Sequence, residues 1–331
     1  MKAFHNPGYY LKSCLLVPVL VVGLTAIAWA QSPELEETIS RAEKGDVEAQ
    51  IALGLAYKNG RGTHQDVEKA VDWFRKAAEK GSASAQRHLA ALYAEGKGVK
   101  QDSGEALKWY RKAAEQGFAS AENNLGMMYV NGKGVPQDFA EAIKWCRKAA
   151  DKNYAESQYN LGWMYAEGKG ASQDYAEAVK WYQKATAQNY AAAQNNLGEL
   201  YLEGKGVSKD LAEALKLFQK AVAQNYASSQ NNLGVMHENG WAVPQDYTEA
   251  ARWYRKAAER GYGGAQNRLA ILCTNGQGMP KDYVEAYKWF ALAETHGDHL
   301  GADVREKITK EMTPEQIADA KKRIAEFVPK D

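Results

Sequence analysis

Between Ala119 and Val130 the small and apolar residues Ala121, Leu125, Met128 and Tyr129 fall at i, i+4, i+7 and i+8, one stripe of an amphipathic helix. Asn131-Gly132-Lys133-Gly134 interrupts the stripe, because glycine takes the left-handed conformation that ends a helix at little steric cost. Asp138 then stands three residues before Glu141, the spacing of a capping box that opens a second helix. That helix carries its own stripe, Ala142, Trp145, Cys146 and Ala149. The pattern predicts two helices joined by a short loop, each with one face to bury.

The same pattern recurs seven times without insertion or deletion. The leucine that precedes Gly or Ala on the first helix stands at Leu53, Leu89, Leu125, Leu161, Leu197, Leu233 and Leu269, always 36 residues apart. The D-x-x-E pair recurs as Asp102/Glu105, Asp174/Glu177, Asp210/Glu213, Asp246/Glu249 and Asp282/Glu285, and the first repeat departs with Asp66 and Lys69. Each second helix ends on Gly or Asn, as at Gly117, Asn153, Asn189, Asn225 and Gly261, the two residues that best tolerate the left-handed region. A period of this length means an array in which each repeat buries its apolar face against its neighbours. The expected architecture is all-α, a solenoid of antiparallel helix pairs with long surfaces and no central cavity.

The ends read as caps and a leader. Residues 1–30 combine Lys2 and Lys12 with the apolar run Cys14 to Ala28 and an A-x-A site at Ala28-Trp29-Ala30, the pattern of a cleaved secretory signal peptide. An uncleaved N-terminal anchor is the alternative; the run is short for a spanning helix. Residues 31–45 are expected to form an N-terminal capping helix, residues 46–297 the seven repeats, and residues 298–331 C-terminal capping helices. In the last of these Thr313-Pro314-Glu315-Gln316 spells a capping box with Pro at the first helical position, and Ile317, Ala320, Ile324 and Phe327 form its apolar stripe.

The repeat resembles the Sel-one-like repeat (SLR), a branch of the tetratricopeptide superfamily. The resemblance rests on the L-G pair, the Tyr four residues after most of the leucines, the G-x-G-V-x-Q-D loop and the A-x-K-W-Y-x-K-A-A segment, and it extends from Asp46 to Gly297. It implies a right-handed superhelix and a role as an adaptor for other proteins. It also implies that the first helices line a concave groove, in which asparagines just before the leucine clamp an extended peptide.

Composition removes several function classes. Lys2 and Lys12 are the charged residues of the first thirty, which leaves 40 bases against 41 acids in the rest. A balanced chain lacks the basic face that a nucleic-acid partner requires. Cys146 and Cys273 lie more than three repeats apart. Stacked helix pairs advance roughly 10 Å each, and a disulfide needs Cα atoms within about 7 Å, so no intramolecular bridge is expected. No N-x-[ST] sequon occurs, and the export signal then fits a bacterial periplasm.

No motif calls for chemistry. The G-K-G loops lack the G-x-x-x-x-G-K-[ST] pattern of a phosphate loop and read as helix stops. S-x-x-K and K-T-G are absent, so β-lactam binding or hydrolysis, linked to cysteine-rich relatives, is disfavoured. His296-x-x-His299 with Asp298 straddles a helix break at Gly297 and reads as a turn rather than a metal site. No cofactor is expected.

The candidate binding residues lie on the first helices. Asn124, Asn160, Asn196 and Asn232 immediately precede the leucine, flanked by His88 and Arg268, with Tyr159 in the column before and Trp163 a turn away. Asparagine offers donor and acceptor together and suits peptide backbone; the alternative is that these amides bond to one another within the array. Trp241 stands where other loops carry Lys97, Lys133, Lys169 and Lys205, and is either an exposed anchor or a cover for the neighbouring loop. The loop lysines are assigned to the carbonyl ends of the first helices. The sequence therefore reads as a non-catalytic scaffold of the cell envelope that binds a protein or extended peptide in its groove. A periplasmic regulator that restrains a sensor kinase or biosynthetic complex is the rival reading.

Overall fold

A computed structural model describes residues 33–330, so the leader assigned to residues 1–30 lies outside the described residues. The described part is all helical. In chain order the helices are α1 (Pro33–Glu43), α2 (Val47–Asn59), α3 (Val67–Glu79), α4 (Ala83–Glu95), α5 (Ser103–Glu115), α6 (Ala119–Asn131) and α7 (Phe139–Asp151). They continue with α8 (Ala155–Glu167), α9 (Tyr175–Ala187), α10 (Ala191–Glu203), α11 (Leu211–Val222), α12 (Ala227–Asn239), α13 (Tyr247–Glu259), α14 (Gly263–Asn275), α15 (Tyr283–Thr295), α16 (Ala302–Thr309) and α17 (Pro314–Ala325). The architecture is a solenoid of antiparallel helix pairs. Two compact units divide the described residues, the first ending at Ala149 and the second beginning at Ala150.

In both units the core consists of the leucine column and the alanines and aromatics of the second helices. Leu89, Leu125, Leu161 and Leu269 are fully buried, as are Phe74, Ala113, Ala185 and Tyr254. A fully buried Leu or Phe contributes about 1.5–3 kcal/mol relative to exposure. The glycine after the leucine serves one of these rings. A Cβ on Gly162, Gly198 or Gly234 would lie 2.6, 2.6 or 2.5 Å from the ring of Tyr182, Phe218 or Tyr254. The ring of the next helix sits directly on the glycine, which is more specific than close helix approach.

The residues that end the second helices have positive φ throughout, from Gly81 at 93° to Asn225 at 60°. The second glycine of the loop has a steric reason as well. At Gly206, φ is +68° and a Cβ would fall 2.3 Å from the backbone carbon of Tyr175. Ala242 holds the same column at φ 57°.

Two expectations about caps are corrected. The Asp of D-x-x-E does cap its helix, accepting from the N–H three residues on, as Asp138 Oδ1 does from Glu141 at 2.9 Å. The Glu does not reach back. It pairs instead with the Lys three residues later, as in Lys144–Glu141 at 2.8 Å, and at Glu105 and Glu177 it also accepts from the indole N–H of Trp109 and Trp181. A glutamate drawn along its helix by a cation and an indole is not available to the N-cap backbone. The loop lysines Lys97 and Lys205, for their part, pair with the carboxylates of Glu95 and Glu203 and not with the first-helix carbonyls. The loop glutamine bonds those carbonyls: Gln101 donates to Ala94 O at 2.9 Å and Gln173 to Ala166 O at 2.8 Å.

Thr313 and Gln316 form a full capping box at the start of α17. Its Phe327 side packs edge-on against Trp289, ring centroids 5.6 Å apart. At the other end Leu35, Ile39 and Ala42 of α1 pack with Ala49 and Leu53. The side chains of Cys146 and Cys273 are buried; Cys273 lies 3.2 Å from Met279 Sδ, and burial pushes its thiol up to about 11.

Candidate binding face on the first helices

At five repeats the residue before the leucine stands fourteen positions after an aromatic of the preceding second helix, Phe74, Tyr110, Tyr182, Phe218 or Tyr254, whereas Asn160 follows Cys146. The chemistry of the pair varies together. Phe74 has no hydroxyl, and His88 stacks on it with centroids 4.9 Å apart and planes at 18°. Burial, with Arg87 and Lys58 nearby, holds the His88 imidazole down at about 4. Tyr110 has a hydroxyl and hydrogen-bonds Asn124. In the C-terminal unit Asn196 Nδ2 donates to Tyr182 OH at 3.1 Å, and the Arg268 guanidinium lies 5.9 Å from the centre of the Tyr254 ring. Phe218 again lacks a hydroxyl, and Asn232 turns to the previous repeat. Its Nδ2 reaches Asn195 Oδ1 at 3.1 Å and Glu199 Oε1 at 2.9 Å.

Asn195 is the hub of this network. It is 2% exposed, donates to Glu199 at 2.9 Å and Asn196 at 3.2 Å, and accepts from Ser229 Oγ at 2.8 Å. The amide donors of Asn195, Asn196 and Asn232 are thus engaged inside the array. Low dielectric makes such bonds stronger and a broken one more expensive.

Of the sequence-derived candidates, the structure gathers Tyr159, Asn196 and Asn232 around Glu199. The Tyr159 hydroxyl also hydrogen-bonds Asn196, and its ring lies 5.9 Å from Tyr182 and 5.4 Å from Tyr190. Asn160 is buried at 7% exposure, and Trp163 is half-buried. Arg268 forms a separate group with Glu238 and Tyr254: its Nη1 lies 3.4 Å from Glu238 Oε2, which also accepts from the Tyr254 hydroxyl. Asn124 belongs to the N-terminal unit. Trp241 stands on the loop after α12 with 36% of its surface exposed.

Sequence reasoning missed a tyrosine column. Phe118, Tyr154, Tyr190, Tyr226 and Tyr262 are the N-caps of α6, α8, α10, α12 and α14, and none makes a side-chain cap bond. The first two repeats cap the same position with Asp46 and Ser82. Giving up a polar cap costs about 0.5–2 kcal/mol per helix, and what replaces it is aromatic surface. Burial raises the Tyr190 phenol and raises Tyr226 to about 12, with Tyr159 and Glu199 adding to the shift at Tyr226. The signal was available as an aromatic recurring every 36 residues directly after the left-handed Gly or Asn.

Nothing in this face is arranged for catalysis. Among the described residues no group of three or more His, Cys, Asp or Glu is placed to hold a metal ion. His296 Nδ1 lies 2.9 Å from Gln266 Oε1, so that ring belongs to the packing of its repeat. No described helix is long and apolar enough to cross a membrane.

Helix pairs repeating in phase, joined by G-x-G loops and faced by polar and aromatic columns, define a helical-repeat scaffold. The Sel1 repeat model matches residues 47–82, 83–118, 119–154, 155–190, 191–226, 227–262 and 264–298, and the chain belongs to the Sel1-repeat family. A Sel1 repeat protein from Oxalobacter formigenes has a similar solved structure, 30% identical, with TM-score 0.68 over 74% of this chain and 96% of that one. The protective antigen c5321 of uropathogenic Escherichia coli, described as an SLR fold, is 28% identical, with TM-score 0.51 over 88% of this chain and 85% of that one. A curated relative, the secretory immunoglobulin A-binding protein EsiB of Escherichia coli O6:H1 strain CFT073, is 37% identical over 65 residues. That match spans 19% of this chain and 13% of the length of EsiB. The chain is a helical-repeat protein of the protein–protein interaction class.

Proposed function

We propose that this protein is an exported scaffold that binds an extended polypeptide across the first-helix face of residues 150–331. One observation carries the reading: the rings of Tyr159 and Tyr190 pack 5.4 Å apart, and the Glu199 carboxylate that Asn195 and Asn232 hold in place helps raise the phenols of Tyr159 and Tyr226. Partly buried tyrosines give rigid contact area with a polar tip, the composition of binding surfaces. In this reading the asparagines position the face more than they grip the ligand, because their amide donors are already engaged. Asn160, Trp163, Arg268 and Trp241 extend the proposed contact region, and Asn124 offers an equivalent position in the N-terminal unit. Export rests on the Lys2-to-Ala30 leader pattern, with removal of the leader after Ala30. The name of EsiB, which records binding of an immunoglobulin, supports a polypeptide ligand as the class.

A photocrosslinking amino acid placed at Trp163 or Tyr190 in cells tests this. Expected are crosslinks to a discrete envelope polypeptide, lost when Glu199→Lys is added and absent from the same probe at Lys133. Equal labelling from Lys133, or labelling indifferent to Glu199→Lys, would refute the reading.

A further inference from the structure

Six of the seven repeats carry tryptophan at one position of the second helix: Trp73, Trp109, Trp145, Trp181, Trp253 and Trp289. The fifth carries Leu217. At Trp109 and Trp181 the indole is held from two sides. The glutamate four residues earlier accepts from the indole N–H at Trp109, 3.1 Å from Glu105, and at Trp181, 2.9 Å from Glu177. The lysine three residues later lies over the ring of Trp73, Trp109, Trp145, Trp181 and Trp253, with Nζ between 3.9 and 4.4 Å from the centroid.

In the fifth repeat both holders remain, as Glu213 and Lys220, with no indole between them. They line a recess of about 500 Å³ together with Leu217, Thr186, Gln183 and Tyr201. The equivalent recess one repeat later, where Trp253 stands and Lys330 reaches in, measures about 280 Å³. Thr186 occupies a position that is alanine in most repeats, and its hydroxyl is buried without a hydrogen-bond partner.

We propose that this recess receives a tryptophan side chain of a partner polypeptide. The inserted indole would donate its N–H to Glu213 and lie beneath the Lys220 ammonium, as Trp109 and Trp181 do in their repeats. Lys216 pairs with Glu213 at 3.0 Å without blocking this. Glu177 serves Lys180 through Oε2 at 3.0 Å and Trp181 through Oε1 at 2.9 Å at once. The sixth repeat shows the contrary case: Arg252 takes both oxygens of Glu249, and Trp253 Nε1 has no partner. Lys216 also lies 3.4 Å from the other oxygen of Glu213, but Lys108 likewise touches both oxygens of Glu105 while Trp109 shares Oε2. A lysine at 216 therefore leaves the carboxylate open to a guest, whereas a bidentate arginine does not. An aliphatic guest would leave both holders unused.

The probe is N-acetyl-5-fluoro-L-tryptophanamide, observed by fluorine NMR in the presence of the full chain. Saturable broadening is expected, displaced by N-acetyl-tryptophanamide but not by N-acetyl-leucinamide. Leu217→Trp fills the recess from within and abolishes the effect, with circular dichroism recorded beside it. Glu213→Ala and Lys220→Ala, on partly exposed positions, each weaken binding roughly two- to fivefold, the range for one cation–π or hydrogen-bond contact. Those two variants carry the test if Leu217→Trp fails to fold. Absence of saturable broadening, equal displacement by the leucine amide, or unchanged affinity in both Glu213→Ala and Lys220→Ala would overturn the proposal. Tyr159, Tyr190 and Glu199 do not line this recess, so the two readings fail separately.

Discussion

Asn232 donates across a full repeat to Asn195, Nδ2 to Oδ1 at 3.1 Å, and the two amides together hold the Glu199 carboxylate between them. The bond links α12 to α10 through a residue that is 2% exposed. Asn195→Ala would leave Ser229, Asn232 and Glu199 short of a partner. A loss of about 1–3 kcal/mol in urea unfolding is expected, the usual penalty for orphaned buried groups. A loss within error would mean that water replaces the amide without penalty.

Asn196 sits further out, between the hydroxyls of Tyr182 and Tyr159. Asn196→Ala should lower stability by about 0.5–1.5 kcal/mol. Tyr190→Ala should leave the melt nearly unchanged and reduce affinity for a crosslinked partner, because aromatic anchors dominate such interfaces. The opposite pattern, with the asparagine governing affinity and the tyrosine governing the melt, would restore the backbone clamp as the main contact.

Trp181 is 4% exposed, bonded to Glu177 and covered by Lys184 at 3.9 Å. Trp181→Ala should cost about 3–5 kcal/mol in chemical denaturation, as other large core truncations do. A loss below about 1 kcal/mol would contradict the burial of this column.

Two glycine-to-alanine changes should differ in sign. At Gly198 the new Cβ would meet Phe218 at 2.6 Å, and overpacking of about 1–3 kcal/mol outweighs the helix-propensity gain of about 1 kcal/mol. At Gly104, in the first turn of α5, the nearest atom is Asp102 Oδ1 at 3.3 Å, and a small gain is expected. Thermal melts of the two variants side by side give the comparison.

His88 supplies a pH test. Its folded pKa, about 4, lies below its ordinary 6.5, so the unfolded chain takes up the proton first as pH falls. The contribution of the neutral ring is complete above about 6.5 and is lost progressively toward 4. The melting temperature of the wild type should fall across that window. His88→Phe, which keeps the stack on Phe74, should flatten the fall; an identical slope in both proteins would exclude His88 as its source.

Much of this protein follows from local rules that a single repeat already states. The stripes at Leu125 and Trp145, the left-handed stops at Asn153 and Gly117, and the capping box at Thr313 depend on near neighbours in the chain, so periodicity and propensity suffice to read them. The family could be named on the same grounds. What depends on side-chain direction was not legible, whether the partner stands four residues away, as Glu177 does from Trp181, or 37, as Asn195 does from Asn232. The glutamate of D-x-x-E read as a cap and proved to hold an indole; the loop lysine read as the carbonyl partner, and the glutamine beside it takes that role. The asparagines illustrate the limit. Their column was visible at once, yet whether Asn232 faces a ligand or Asn195 turns on Phe218 lacking the hydroxyl that Tyr182 offers to Asn196. Only packing sets two such side chains within reach of each other, and only there does a phenylalanine in one helix decide where an amide in the next must turn.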